Sequence, residues 1–455
     1  MVVQTQNCAP NQELFNPGRT LLITNTNLNG KQSDIFIDES GIIQQIIKTG
    51  SRSLHNEAEH IIDADGDFAF PAFTNTHTHS AMTLLRGYAD DMYLEPWLFE
   101  KIFPLEGCLQ PDDVYWGTKL ACLEMIKSGT VAFNDMYFFM EDTARAVVES
   151  GMKAVLSYSI PLPPCQLAGG DPVEEGKKTT EKFVRYIHSL ENPRIKPGVA
   201  PHSVYLPSRD EIEWYGRYAE ENDLTLHIHL SETKTEVDEC RQRQGIRPPK
   251  YLDECGCLSS RTIAAHCCWL NLDECALLGE RGVHAAYNPA SNMKLSTRRA
   301  MPYSALINAG VNVTLATDGC SSNNNHDLLE DARVAAMLQK YQYLPTTLPA
   351  HEVYNMMTKN GAKALGLGAG EIKVGVPADI ILVSRKNVAN VPVHNPVSNL
   401  IYSLTGSAVR TTICNGQVLM HNRVVPGEED ILNRAQSAAS KLVDRYDERE
   451  NSTSS

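Results

Sequence analysis

No apolar run in the 455 residues approaches the ~18 needed to span a bilayer, so no membrane-spanning helix is expected. Basic residues are in deficit. Lys plus Arg number 41 against 55 Asp plus Glu, a net charge of −14, which argues against nucleic-acid backbones and anionic membranes as partners. The stretch Met1–Pro10 lacks the charged-then-apolar pattern of a secretion signal, which points to a cytoplasmic protein. Twelve cysteines are too few for a disulfide scaffold at this length. Cys255-Gly-Cys257 and Cys267-Cys268 also lack the C-x₂₋₄-C spacing of a structural zinc site. They are expected as reduced thiols, with Cys267 and Cys268 in a buried strand. Hydrophobic residues make up 42% and charged residues 21%, which excludes a disordered chain.

What is present is a chain with two β-rich ends around an alternating middle. Leu21–Thr24, Ser33–Ile37 and Gly41–Ile47 read as short strands separated by Asn-Gly and Glu-Ser-Gly turns. The texture returns at Glu371–Val374, Ala378–Val383, Val409–Cys414 and Gln417–Met420, with Asn415-Gly416 as a hairpin turn. Residues 1–69 and 369–455 are therefore expected to build one small β-sandwich domain. A helix over 430–447 and a disordered tail, Asn451–Ser455, complete the C-terminus.

Residues 70–368 carry eight strand candidates: Phe70–Thr76, Gly129–Asp135, Lys153–Ile160, Ile195–Ala200, Leu224–Leu230, Thr262–Cys268, Gly282–Asn288 and Val311–Thr317. Amphipathic helices such as Pro111–Lys127 and Ser208–Asn222 lie between them. Eight βα units in about 300 residues predict an α/β fold, a (β/α)₈ TIM barrel. A doubly wound open sheet is the competitor, but no glycine-rich phosphate turn follows the first strand.

Histidines and acids cluster at the ends of these strands. In His77-Thr78-His79 the two imidazoles share one face of a strand and can reach one ion. His227 and His229 share a face at the end of the fifth strand, with His229 nearer the rim and Glu232 three residues beyond. Asp318 follows the eighth strand, His266 ends the sixth and His202 follows the fourth. Any one of these histidines alone could be a hydrogen-bonded core residue. Barrel active sites gather at C-terminal strand ends, and all of these positions fall there. A carboxylate at Asp318 can complete a His₃Asp set around a divalent metal.

Pro71-Ala72-Phe73-Thr74-Asn75-Thr76-His77-Thr78-His79, His229-Leu230-Ser231-Glu232, His266, Asp318 and the terminal Gly375-Val376-Pro377-Ala378-Asp379-Ile380 resemble the amidohydrolase superfamily over nearly the whole chain. Met82–Gly87, Trp97-Leu98 and Phe103-Pro104-Leu105-Glu106 are similar to the 5′-methylthioadenosine/S-adenosylhomocysteine deaminases within its triazine hydrolase and nucleoside deaminase branch. The resemblance implies His77, His79, His229 and Asp318 as metal ligands, Glu232 as proton shuttle and His266 as the group orienting the attacking water. It also implies that His202 contacts the purine, Glu106 the ribose hydroxyls, and that Trp97 packs near the nucleoside. Two-metal members carry a modified lysine on the fourth strand. Here that strand ends Val199-Ala200-Pro201-His202, so one divalent metal is expected, zinc by preference, with iron or manganese compatible.

The implied reaction is hydrolytic removal of an exocyclic amine from an adenine nucleoside, a small-molecule partner, with Glu232 protonating the ring and Asp318 accepting the water proton. Glu106 sits in the apolar run Phe103–Gly107, a poor setting for a surface carboxylate and a good one for holding a ribose diol. Other aminated rings (guanine, cytosine, triazines) are the alternative, and a non-catalytic scaffold is a third reading. The span Ser157–Thr180 contains no arginine, and Ile160–Cys165 is apolar. Relatives that take S-adenosylhomocysteine hold its carboxylate with arginines from this region, so 5′-methylthioadenosine or adenosine is expected to be preferred here. Tyr341–Leu348 and the 430–447 helix could serve homo-oligomer contacts.

Overall fold

The computed structural model describes residues 12–51, 54–160, 166 and 171–453. Five short strands come first: β1 (Leu21–Leu28), β2 (Lys31–Ile37), β3 (Ile43–Lys48), β4 (His60–Asp63) and β5 (Phe68–Pro71). Eight follow in the middle of the chain: β6 (Phe73–Thr78), β7 (Thr130–Tyr137), β8 (Lys153–Ser159), β9 (Ile195–Ala200), β10 (Thr225–Leu230), β11 (Thr262–His266), β12 (His284–Tyr287) and β13 (Asn312–Leu315). Three close it: β14 (Ile380–Val383), β15 (Val409–Cys414) and β16 (Gln417–Met420). Among the described residues, no helix is long and apolar enough to cross a membrane.

Strands β6 to β13 pair in sequence order as an eight-stranded parallel sheet, with helices between successive strands. Two side-chain bonds and one backbone bond bridge the seam between first and last strands. Thr76 Oγ1 donates to the Leu315 carbonyl (3.1 Å), Asn75 Nδ2 donates to Thr317 Oγ1 (2.8 Å), and the Asp318 amide donates to the His77 carbonyl (3.1 Å). Polar residues thus occupy a buried strand because they substitute for a missing ladder. This seam sets Asp318 beside His77. The sheet is the TIM barrel expected from the alternating pattern.

The chain ends meet in a second, mixed sheet of order β16-β15-β14-β5-β1-β2-β3, with β4 beside β1. Ile23, Ile35, Ile37, Ile380 and Ile413 fill its own small core. Asn415 and Gly416 turn between β15 and β16 with φ of 46° and 74°, the left-handed pair that a two-residue hairpin requires. A buried ion pair, Lys153 Nζ to Asp379 Oδ2 at 2.6 Å, ties the barrel to this sheet.

Four local expectations need correction. Phe70–Thr76 is not one strand. Phe68–Pro71 pairs with β14 in the terminal sheet, and the chain enters the barrel only after Ala72. Glu371–Val374 is a bend and turn rather than a strand, lying between Gly370 and Gly375, both at positive φ. Asn451–Thr453 continue the helix Glu428–Thr453 instead of forming a loose tail; Ser454 and Ser455 lie outside the described residues. Cys267 and Cys268 follow β11 rather than sitting in it, although both are buried, and every described cysteine is unpaired.

Candidate active site

The C-terminal ends of the barrel strands open into a cavity of about 590 Å³, mouth included. His77 lies in β6 and His79 just beyond it. Thr78 between them points the other way, as strand alternation requires, and donates to Asp135 Oδ1 at 2.7 Å. Ser80 adds two more donors to that buried carboxylate, its amide and hydroxyl each at 2.7 Å. Asp135 therefore pins the loop that carries both histidines.

His79 and His229 point acceptor nitrogens at one spot. His79 Nδ1 donates to the Met136 carbonyl and His229 Nδ1 to the His202 carbonyl, both at 2.8 Å. Each ring's lone pair is thereby left on Nε2. These Nε2 atoms are 3.3 Å apart. Asp318 Oδ1 lies 3.3 Å from His77 Nε2 and 3.4 Å from His79 Nε2. His77 Nε2 is buried and finds no hydrogen-bond partner. The two lone pairs of His79 and His229 repel one another, and the His79 pair the Asp318 carboxylate, unless a cation sits among them. The donor set fits a divalent metal, and His77, His79 and Asp318 offer ligand atoms within 4.8 Å of one another.

His77, His229 and His266 form a second group of that compactness, but His266 is held in the opposite tautomer. Asn292 Nδ2 donates to its Nδ1 at 2.8 Å, while Asn292 Oδ1 is taken by the Cys268 thiol. His266 therefore carries its proton on Nε2, 3.9 Å from Asp318 Oδ2. Burial, opposed by the charge of Asp318 and helped by His77 and His79, lowers its pKa to about 3, so the ring stays neutral. It faces the site as a donor.

Glu232 lies 3.7 Å from His266 Nδ1. Burial, then the carboxylates of Asp318, Glu236 and Glu95, hold its carboxyl well above the usual range. Its backbone is fixed by Glu236, whose oxygens accept from the Ser231 and Glu232 amides at 2.7 Å each. Asp318 is oriented by Ser291 Oγ, which donates to Oδ2 at 2.7 Å, and by the Gly319 amide on Oδ1 at 2.8 Å.

The outer cavity is mostly apolar: Met82, Leu94, Leu98, Phe103, Phe138 and Leu295 line it with Trp97, Tyr137 and Tyr205. Trp97 is buried with its indole N–H donating to the Ala89 carbonyl at 3.2 Å. Glu106 is buried on this wall, and Tyr137 hydrogen-bonds it. Burial, partly offset by Tyr137, raises its pKa to about 8. His202 lines the same space with its Nδ1 buried and without a partner. His79, Trp97, Glu106, His202, His229, Glu232, His266 and Asp318 thus line one cavity, while His77 and His227 lie fully buried behind it. The sequence does not mark Asn292, Ser291, Asp135, Glu236 and Tyr137, because each acts by holding another residue and none belongs to a spaced motif. Ile160 ends buried at the strand terminus; Pro161–Cys165, the rest of the apolar wall expected from the sequence, lie outside the described residues.

Known proteins share this arrangement of sequence and fold. The amidohydrolase family model matches residues 68–419. Over 434 residues the chain is 52% identical to a 5′-deoxyadenosine deaminase of Methanoregula boonei, covering 95% of this chain and 97% of that one. It is 43% identical over 404 residues to 5-methylthioadenosine/S-adenosylhomocysteine deaminase 1 of Archaeoglobus fulgidus, with coverage of 88% and 94%. The crystal structure of a zinc-bound adenosine deaminase from Xanthomonas campestris superposes with a TM-score of 0.86 at 29% identity, over 93% of this chain and 98% of that one.

Proposed function

The chain belongs to the amidohydrolase family, and from that premise we propose that it is a metal-dependent hydrolytic deaminase of adenine nucleosides carrying a small or absent 5′ substituent. The substrates are 5′-deoxyadenosine, 5′-methylthioadenosine or adenosine, and the products are the inosine analogue and ammonia. The observation that carries the reading is one cavity joining a cluster of imidazoles and the Asp318 carboxylate with a buried, proton-holding Glu232. The deaminases similar to this chain support the choice of ring.

His77, His79, His229 and Asp318 would hold one divalent cation, zinc by the borderline-soft character of three imidazoles and a carboxylate. A cation there supplies the Lewis acidity that makes a water nucleophilic near neutral pH. Asp318 takes a proton from the attacking water as its oxygen bonds to the ring carbon bearing the amine. Glu232 gives its proton to the adjacent ring nitrogen, which makes that carbon electrophilic. Asp318 passes that proton on to the exocyclic nitrogen, the C–N bond breaks and ammonia leaves. The proton still on the former water oxygen goes to Glu232, which gives the product carbonyl and restores the acid. His266 Nε2–H donates to the oxygen at the tetrahedral carbon. Glu106 accepts from the ribose hydroxyls, Trp97 packs on the nucleoside and His202 contacts the purine.

Chelator treatment tests the metal requirement. Ammonia release from 5′-deoxyadenosine should be lost on metal removal and return with one equivalent of zinc per chain. Full activity in metal-free protein would overturn the reading, and two tightly held ions per chain would overturn the single-metal site.

A further inference from the structure

His227 is the one histidine at the strand ends that the proposed chemistry leaves without a task. It lies two residues before His229 on β10 and is fully buried. Its Nε2 is 2.7 Å from Nδ1 of His77, with the two rings perpendicular. The other ring nitrogen, His227 Nδ1, is buried and has no hydrogen-bond partner.

A contact between two imidazole nitrogens holds one proton, and either ring can own it. If His227 Nε2 owns it, His77 Nδ1 is the acceptor and His77 carries its proton on Nε2, pointing at Asp318 Oδ1 3.3 Å away. If His77 Nδ1 owns it, His77 Nε2 is bare and available as a ligand, and His227 carries its own proton on Nδ1. His79 and His229 have no such choice. Their Nδ1 atoms face backbone carbonyls, which only accept.

We propose that His227 is a positioning residue that sets the tautomer of His77, and that the pair exchanges tautomers when metal binds. Without metal, the proton on His77 Nε2 is drawn toward Asp318. With metal, that position must be bare, so the shared proton moves to His77 Nδ1 and His227 becomes the acceptor. Loading then places the His227 proton on a buried nitrogen with no acceptor, and ligation must offset that cost. The inference rests on the reading of His77 as a ligand.

Histidine-selective ¹⁵N NMR of metal-free and zinc-loaded protein tests it. The expected result is Nε2–H on both His77 and His227 without zinc, and Nδ1–H on both with zinc. An unprotonated His77 Nδ1 in the loaded protein, or no change between the two states, would overturn the proposal. Zinc affinity by chelator competition gives a second readout. His227→Leu removes the acceptor and should weaken binding roughly 10–100-fold. His227→Gln puts an amide oxygen near the lost Nε2 and should restore affinity to within about tenfold of the parent. A folded His227→Leu protein binding zinc as tightly as the parent contradicts the role; if that variant does not fold, the spectra of the parent decide. His77→Ala that still holds zinc tightly would remove the ligand assignment, and this inference with it.

Discussion

The amide nitrogen of Asn292 stands 2.8 Å from Nδ1 of His266 and makes that ring a donor toward the site, whereas His79 and His229 are acceptors. Asn292→Asp reverses the contact, because a carboxylate only accepts and would pull the His266 proton onto Nδ1. Turnover should then fall ~10²–10³-fold, as for loss of an oxyanion donor, with metal content unchanged. Asn292→Leu frees the ring without reversing it and should cost less. Parent-like kcat in the Asp variant would refute the tautomer.

Glu232→Gln keeps the volume and the neutral charge of the protonated acid but cannot give up and regain a proton. The variant should keep its fold and metal and lose roughly 10²–10⁴-fold in kcat, with KM changed far less. Steady-state kinetics beside metal analysis check this; near-normal turnover would show that another group protonates the ring.

Glu106 predicts a pH dependence. Its pKa is raised from 4.5 to about 8, first by burial and with Tyr137 opposing, so at pH 7 the empty pocket holds a neutral acid. Accepting two ribose hydroxyls favours the carboxylate, so nucleoside binding should release a proton at pH 7 and tighten as pH rises toward about 8. Calorimetry in two buffers of different ionisation enthalpy should detect that proton, and Glu106→Gln should abolish its release. The stability sign is the opposite. A group whose folded pKa lies above its ordinary value binds more protons when folded, so its contribution to stability falls between pH 4.5 and about 8. Glu106→Gln should flatten that part of the stability profile.

These predictions divide between residues that the sequence marks and residues that it hides. Strand alternation puts His77 with His79 and His227 with His229, and eight βα units put all of them at one end of a barrel. Alternation does not say that His227 turns to His77 while His229 turns to His79. That choice follows from which residue lies nearer the rim and which strand comes next. Nor does it reach residues at or past the strand ends. His202, Ser231, His266 and Asp318 all have positive φ, between 49° and 71°, a left-handed turn that re-aims each side chain after the strand stops. Ser291 and Asn292 come from the short helix Pro289–Lys294, whose sequence carries no motif. Phe70 reads as a barrel residue yet pairs in the terminal sheet for a related reason. A strand pattern gives the faces of a segment but not its partners.

Substrate preference follows from the cavity wall. No lysine or arginine is among the described residues that line it, and Lys177, on the helix Pro172–Ser189, pairs with Glu174 at 3.1 Å. A homocysteine carboxylate would meet no cation there. 5′-Deoxyadenosine and 5′-methylthioadenosine should exceed S-adenosylhomocysteine in kcat/KM by about 1–3 kcal/mol of transition-state binding, or roughly 5- to 150-fold. Competition assays with mixed substrates measure the ratio directly, and a preference for S-adenosylhomocysteine would refute it.

The most direct test of the deaminase reading is ammonia release by zinc-replete protein from 5′-deoxyadenosine, 5′-methylthioadenosine, adenosine, guanine, cytosine and an aminated triazine, assayed side by side. One ammonia per nucleoside is expected from the adenine nucleosides, with conversion to the inosine analogue seen in the ultraviolet spectrum, and little from the other rings. Ammonia from guanine, cytosine or the triazine alone, or from none of the six, would contradict it.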